Sequence, residues 1–289
     1  MNYRHAFHAG SFADVVKHTV LCRVLMHLRG KPAPFRVIDT HAGAGLYSLT
    51  SDEANRSGEW RDGIARIWDA QRANLLAPEI AALLAPYLDV IGALNERGAL
   101  RVYPGSPALV RAWLRSDDRL TACELESGAA TALAAQLRGD PRIKTLEIDG
   151  WTALSAYVPP VERRGLVLVD PPFEQDDEFR RLAQGLAAAH RKWPTGIYAL
   201  WYPIKSRAGP DALAKSIKRL RIGKVLRAEL LVAPMTDIAR LNGCGLILVN
   251  PPWTLEAELS GLLPALCAIL GRAGKGSYRL DWLADETAT

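Results

Sequence analysis

Gly165-Leu-Val-Leu-Val-Asp-Pro-Pro-Phe173 joins an uninterrupted apolar run to an acid, two prolines and an aromatic ring. A short run without polar alternation fits a strand buried on both faces, the kind found in parallel sheets covered by helices. Proline cannot donate to a sheet ladder, so Pro171 and Pro172 end the strand and stiffen its exit. Asp170 is thereby set at a strand's C-terminal end, where open α/β sheets bind their ligands. A carboxylate there can accept one N–H of an exocyclic amine. The Pro171 carbonyl can accept the other, and Phe173 can stack on the ring that carries the amine. Asn250-Pro-Pro-Trp253 repeats the pattern after Leu246-Ile-Leu-Val249. Both cannot be the same chemical station, and order along the chain decides between them.

Outward from this stretch, strands and helices alternate. Ser11-Phe-Ala-Asp14 reads as a capping box, and Val16, Val20, Leu21, Val24, Leu25 and Leu28 recur at helical spacing up to Gly30 and Pro32. This predicts an amphipathic helix of about five turns. Phe35-Arg-Val-Ile-Asp39 reads as a buried strand that runs into Thr-His-Ala-Gly43-Ala-Gly45. Residues 49–118 change character, with a polar loop, helix candidates at 59–71, 78–95 and 107–115 and a Tyr103-Pro-Gly-Ser-Pro107 turn. They are read as an inserted helical subdomain. The alternation then resumes with strands at 120–124, 143–148, 166–169 and 196–201 and helices at 127–138, 151–157, 176–190 and 211–221. Strands at 227–232 and 245–249 have no helix between them and are expected to close the sheet as an antiparallel hairpin. The expected fold is α/β, a doubly wound, mostly parallel, seven-stranded sheet formed by 1–48 and 119–289, with 49–118 inserted. Residues 284–289 are expected to fray. Asp170 ends the fourth strand of this count, beside the crevice where the strand order reverses. Asn250 ends the hairpin, so Pro251 and Pro252 are assigned a structural exit.

Gly43 and Gly45 let a ligand approach the backbone after the first strand. A dinucleotide fingerprint would place Gly or Ala at position 48, where Ser48 stands. An acid ending the second strand takes ribose hydroxyls, and Glu124 occupies that place. Asp149-Gly150 follows the third strand, positioned to meet an adenine edge. Each of these alone reads equally well as a turn former or helix cap. In this order, with Asp-Pro-Pro-Phe on the fourth strand, they point to S-adenosylmethionine and to methylation of an amino nitrogen.

Composition sets the class. With 49% hydrophobic and 23% charged residues in 289, the chain reads as an ordinary globular protein able to bury a core. No apolar stretch approaches the ~18–20 residues of a membrane span. The N-terminus, Met-Asn-Tyr-Arg-His, lacks the pattern of a secretory signal. Cys22, Cys123, Cys244 and Cys267 lack Cys-x-x-Cys spacing, which argues against a zinc ribbon or disulfide framework and fits a reducing cytoplasm. His5 and His8 have no carboxylate or cysteine cluster in the sequence around them, so no metal is expected. The net charge of +5 is unevenly spread. Residues 1–36 hold six Lys/Arg and four His against Asp14, and 205–227 hold eight Lys/Arg against Asp211. Such concentration suits a phosphate backbone; a solvated helix face is the plainer alternative.

The residues Tyr3-Arg-His-Ala-Phe-His-Ala-Gly10, Asp14-Val-Val-Lys-His18, Asp39-Thr-His-Ala-Gly-Ala-Gly45, Gly63-Ile-Ala-Arg-Ile-Trp68, Tyr103-Pro-Gly-Ser-Pro107, Asp149-Gly150, Asp170-Pro-Pro-Phe173, Tyr198-Ala-Leu-Trp-Tyr-Pro203 and Asn250-Pro-Pro-Trp253 carry a resemblance. Together they resemble the bacterial RlmJ family, which methylates N6 of one adenine in 23S ribosomal RNA with S-adenosylmethionine. The resemblance runs nearly end to end. It implies a Rossmann-like class I methyltransferase in which His18, His41, Ser106, Glu124, Asp149 and Gly150 contact the methyl donor alongside Gly43 and Gly45. It further implies that Asp170 is the catalytic carboxylate and that Tyr3 lies near the substrate base; the basic concentration of the N-terminal segment puts Arg4 and Lys17 on the RNA backbone. The family commonly has Tyr where this chain has Phe173, which keeps stacking and removes a hydroxyl. Without the resemblance, His18 reads as an i,i+4 surface partner of Asp14, and Ser106 as an N-cap before Pro107.

The expected reaction is direct, in-line methyl transfer to a flipped adenine by a cytoplasmic monomer whose partner is 23S rRNA. A DNA adenine-N6 or cytosine-N4 methyltransferase is the nearest enzymatic alternative, because Asp-Pro-Pro-aromatic does not tell one exocyclic amine from another. The chain has no separate target-recognition domain, which weighs against it. A non-catalytic RNA-binding assembly protein is the alternative from another class, and intact Glu124, Asp149 and Asp170 weigh against that.

Overall fold

A computed structural model describes residues 4–96 and 98–285. The first part of the chain forms α1 (Phe12–Arg29), β1 (Arg36–Asp39), β2 (Leu46–Ser48), α2 (Asp52–Ser57), α3 (Glu59–Asp62), α4 (Ile64–Arg72), α5 (Pro78–Leu94), β3 (Val102–Pro104) and α6 (Ser106–Trp113). Alternation follows, with β4 (Arg119–Glu124), α7 (Ser127–Gln136), β5 (Ile143–Glu147), α8 (Gly150–Ala156), β6 (Gly165–Val169), α9 (Glu178–Lys192), β7 (Ile197–Ile204) and α10 (Ala208–Arg219). The chain closes with β8 (Val225–Leu231), β9 (Gly243–Val249), α11 (Leu255–Leu270) and β10 (Ser277–Ala284).

The main sheet has the order β10-β8-β9-β7-β6-β1-β4-β5. Its five strands β5, β4, β1, β6 and β7 run parallel, while β9 is antiparallel to β7 and β8. Read in chain order, the parallel strands lie 3-2-1-4-5, the doubly wound arrangement whose crevice opens beside β1. β8 and β9 pair antiparallel as expected but do not close the sheet. One strand more than the expected seven is present, because β10 pairs antiparallel with β8 along that edge. A second difference is the two-stranded antiparallel sheet of β2 and β3, which ties the segment after the glycine loop to the later part of the 49–118 stretch. The expectation for 286–289 lies outside the described residues.

The sheet is covered on both faces, and β6 shows why its sequence is wholly apolar. Leu166 and Leu168 belong to the core shared with α1, α5, α6 and α11, while Val167 and Val169 belong to the core shared with α8, α9 and α10. Successive strand side chains alternate sides, so a strand buried on both sides has no position for a polar residue. Helix α11 packs on α1, α4 and α5 as well as on β8 and β10.

The antiparallel run of β9 puts Asn250 at the end of the sheet away from Asp170. Its side chain donates to the carbonyls of Pro194 and Gly196, both at 2.8 Å. Pro251 and Pro252 therefore belong to a turn that closes the far end of the sheet. All four cysteines are free thiols, and no helix among the described residues is long and apolar enough to cross a membrane.

Candidate active site

Strand order gathers the candidate residues. β1 lies between β4 and β6, so the glycine loop after Asp39, Glu124 at the end of β4 and Asp170 after β6 emerge side by side. Asp149 and Gly150 join them from the N-terminus of α8. They border a cleft of about 800 Å³ that is also lined by Lys17, His18, His41, Gly43 and Ser106. A second cavity of about 500 Å³ lies beyond, lined by Pro171, Phe173, Phe179, Trp201 and Pro203. Asp170, Lys17 and His5 line both. These three residues therefore stand at the junction of two chambers.

In the larger cleft the acids are held by backbone donors. Glu124 accepts N–H groups of Gly43 and Glu126, each at 2.8 Å, which fixes its carboxylate at the lip while leaving lone pairs for a ribose. Asp149 caps α8, with Oδ2 accepting from the Thr152 N–H at 2.8 Å, and its Oδ1 makes no hydrogen bond among the described residues. Cap and ligand contact are thus compatible in one side chain. Gly150 is required by space, because a Cβ there would stand 2.3 Å from the Thr40 carbonyl and 2.6 Å from the His41 ring. Gly43 has φ +64°, and its Cβ would stand 2.1 Å from the Tyr47 hydroxyl. His41 packs edge-on against Trp151, with ring centroids 5.6 Å apart.

Two expectations from local sequence are corrected here. Ser106 is the first residue of α6 rather than its cap, which is Gly105. Its buried hydroxyl donates to Asp39 Oδ2 at 2.6 Å. His18 is no surface partner of Asp14. It is 1% exposed and hydrogen-bonds through Nδ1 to the Tyr103 hydroxyl at 2.8 Å, which in turn meets the Tyr87 hydroxyl at 2.8 Å. Burial pulls the His18 imidazole down to about 3 and that of His41 to about 4, so both rings are neutral. Burial pushes Asp39 up to about 7 against the Ser106 hydrogen bond.

The fit to a cationic, nucleoside-bearing methyl donor is legible in a group left incomplete. His18 Nε2 is buried without a partner among the described residues, and His18 lines the cleft. Buried polar atoms of this kind are normally satisfied, so it offers a hydrogen-bond site to a bound molecule.

The junction is built around Lys17. Although charge counting placed it on the RNA-facing surface, it is 5% exposed. Its ammonium lies 2.5 Å from Asp170 Oδ2 and 2.9 Å from Asp14 Oδ1. Burial alone would lower the Lys17 ammonium, but Asp14 and Asp170 outweigh it and hold the group well above its ordinary value. Burial likewise works to raise Asp14, and Lys17 and His5 outweigh it, leaving that carboxyl well below the usual range. Asp14 Oδ2 further accepts the Gly10 N–H at 2.9 Å and meets His5 Nε2 at 3.0 Å. The N-terminal segment is thereby fastened against the site. Asp170 Oδ1 keeps no hydrogen bond among the described residues, so one carboxylate oxygen is fixed by Lys17 and the other is left without a protein partner where the two cavities meet. Arg4 lies at the rim of the cleft and pairs with Glu53 at 2.9 Å. Tyr3 lies outside the described residues.

Phe173 adopts a left-handed backbone, φ +53°. Its ring meets Phe179 and Trp201 edge-on, at centroid distances of 4.9 and 5.9 Å. The second cavity is thus an aromatic chamber beside the carboxylate. Sequence reasoning missed Asp14, Asp39, Tyr47 and Trp201. Only Asp14 carried a usable signal, since Asp14 and Lys17 stand i,i+3 on one helix face.

This fold, with an adenosyl-sized cleft at its switch point and Asp-Pro-Pro-Phe at its edge, defines an S-adenosylmethionine-dependent methyltransferase. The model of a family described as ribosomal RNA large subunit methyltransferase D, RlmJ, matches residues 32–284. The chain belongs to that family. Ribosomal RNA large subunit methyltransferase J of Escherichia coli K12 is 40% identical, over 99% of this chain and 100% of that protein. The protein of the same name from Haemophilus influenzae is 36% identical over 99% and 100%. A crystal structure of a Legionella pneumophila protein is 32% identical, with a TM-score of 0.88 over 97% of this chain and 99% of that one.

Proposed function

We propose that the chain transfers the methyl group of S-adenosylmethionine to N6 of one adenine in 23S ribosomal RNA, acting in the cytoplasm as a monomer. The observation that carries this reading is the meeting of a donor-sized cleft and an aromatic chamber at one carboxylate, Asp170. The curated relatives are named for large-subunit ribosomal RNA methylation, which supports the choice of substrate.

The bound donor supplies an electrophilic methyl group on a sulfonium. Residues of the chain then do three things. Glu124, Asp149, His18 and the turn at Gly43 hold the donor. The aromatic chamber takes the extruded adenine, whose unstacking costs a few kcal/mol; stacking on Phe173 returns roughly 1–3 kcal/mol. Those terms are comparable, so an unpaired or loosely paired adenine is favoured. Asp170 Oδ1 and the Pro171 carbonyl accept the two N6 protons, which draws the nitrogen lone pair out of the ring and aims it at the methyl group. Lys17 fixes Asp170 for this task. As the N–C bond forms and the C–S bond breaks, the surplus proton on N6 leaves through Asp170 to solvent. Positioning and charge placement supply the rate.

The test is transfer of labelled methyl from S-adenosylmethionine to unmodified 23S rRNA, duplex DNA and mixed protein in parallel. Label recovered as N6-methyladenine in the rRNA supports the proposal. Label in DNA or protein instead refutes the substrate.

A further inference from the structure

A groove of about 450 Å³ lies on the outer side of α10, lined by Asp211, Lys215, Lys218, Arg219, Arg227 and Arg279. Its α10 end lies next to the aromatic chamber along the chain: Pro210, in the first turn of α10, lines the chamber with Lys205 of the preceding loop, and the next residue, Asp211, lines the groove. Because α10 returns from the C-terminal end of β7, the groove leads from the mouth of the chamber down the flank of the molecule.

Three of the cations in this groove, Lys215, Lys218 and Arg219, are uncompensated among the described residues. Asp211 is already paired with Arg207 at 2.7 Å. Asp281 is shared by Arg227 at 2.7 Å and Arg279 at 3.1 Å. Lys215, Lys218 and Arg219 are exposed and make no ion pair among the described residues. Cations in the last turn suit the helix dipole, which accounts for Lys218 and Arg219. It does not account for Lys215, in the middle of the helix. Like charges at i,i+3 and i,i+4 cost helix stability unless something anionic lies between them.

We propose that this groove is the track for the RNA strand that flanks the target adenine, with Lys215, Lys218, Arg219 and Arg279 contacting successive phosphates. The proposal rests on the rRNA reading above and adds where the strand runs. At 1.5 Å per residue, α10 spans ~18 Å, the rise of about five stacked nucleotides at 3.4 Å each. Contacts of this kind position the strand and carry no sequence information.

The experiment compares the wild type, the triple variant Lys215→Gln/Lys218→Gln/Arg219→Gln and an Arg138→Gln control at the far edge of the sheet. Each is assayed by methyl transfer to protein-free 23S rRNA over a range of salt concentrations, and by unfolding. The triple variant should raise KM at least tenfold, leave kcat and donor affinity unchanged, and flatten log KM against log salt by roughly 0.7–0.9 per lost cation. Arg138→Gln should change none of these. A triple variant that folds normally with unchanged KM and salt slope, beside an active wild type, overturns the groove and leaves the rRNA reading standing. A defect seen only on assembling particles, and not on free rRNA, also overturns it by assigning the groove to a protein partner. No transfer by the wild type to any RNA refutes the underlying reading itself.

Discussion

Replacing Lys17 by methionine tests the junction between the two chambers. The side chain keeps its length and loses its charge, leaving Asp14 and Asp170 without the ammonium that sits 2.9 and 2.5 Å from them. Asp14 is 2% exposed, so its charge cannot be returned to water. Removing one partner of a buried pair typically costs about 3–5 kcal/mol. For a chain of this size that lowers Tm by on the order of 10 °C. The direction with pH follows from the shifts. Asp14 is depressed in the folded state, so its contribution is present above the unfolded carboxyl value and is lost as pH falls through the folded one. Lys17 is raised, so its contribution is present below the unfolded ammonium value and is lost as pH rises through the folded one. Without Lys17 the burial of Asp14 is left to dominate and lifts its folded value, so the loss of stability should be largest near neutral pH and shrink on acidification, as Asp14 takes up a proton. Turnover should fall by at least ~100-fold, because Asp170 loses the group that sets its position within the site. Adding Asp14→Asn to Lys17→Met should recover about 0.5–3 kcal/mol relative to the sum of the single variants. The assays are thermal unfolding across pH and single-turnover methyl transfer. A Lys17→Met protein with wild-type Tm near neutral pH and wild-type turnover would refute the reasoning.

Three further outcomes are expected. His18 and His41 are depressed by burial to about 3 and about 4, so the unfolded chain binds protons the folded one refuses; stability should decline as pH drops below ~6.5, and His18→Asn should flatten that decline in denaturant titrations. Gly150→Ala places a Cβ 2.3 Å from a backbone oxygen, and calorimetry should show donor affinity reduced at least ~10-fold, with wild-type affinity counting against a close-packed α8 N-terminus. Phe173→Ala should raise KM for RNA by the equivalent of roughly 1–3 kcal/mol while donor affinity stays constant; unchanged RNA kinetics would remove the ring from base binding.

The sheet was readable because β6, and Val37 and Ile38 of β1, are apolar on both sides and lead into marked residues, Asp170 and the Gly43–Gly45 loop. Chain order alone separated Asp170 from Asn250, and β9 does run the opposite way. Helix α11 escaped notice because Pro264 stands inside it and two prolines precede it, signals that normally exclude a helix. β10 alternates apolar and charged residues, as in Leu280, Asp281 and Trp282, a pattern too short to mark a strand and one that an exposed edge strand permits. Burial was the harder loss. Lys17 and His18 look like surface groups of an amphipathic helix, yet α1 is enclosed by α6, α5, α11 and the N-terminal segment. Nothing in a periodicity count conveys how many elements will cover a helix. The Ser106 hydroxyl was read as a cap because Pro107 follows it, whereas its partner, Asp39, is distant in sequence and adjacent only once β1 and α6 are packed.

The most direct measurement is single-turnover transfer of labelled methyl from S-adenosylmethionine to 23S rRNA lacking the modification, comparing the wild type with Asp170→Ala and verifying donor binding for each. The account predicts N6-methyladenine with the wild type, none with Asp170→Ala, and similar donor affinity for both. Strong N6 methylation by Asp170→Ala would contradict it.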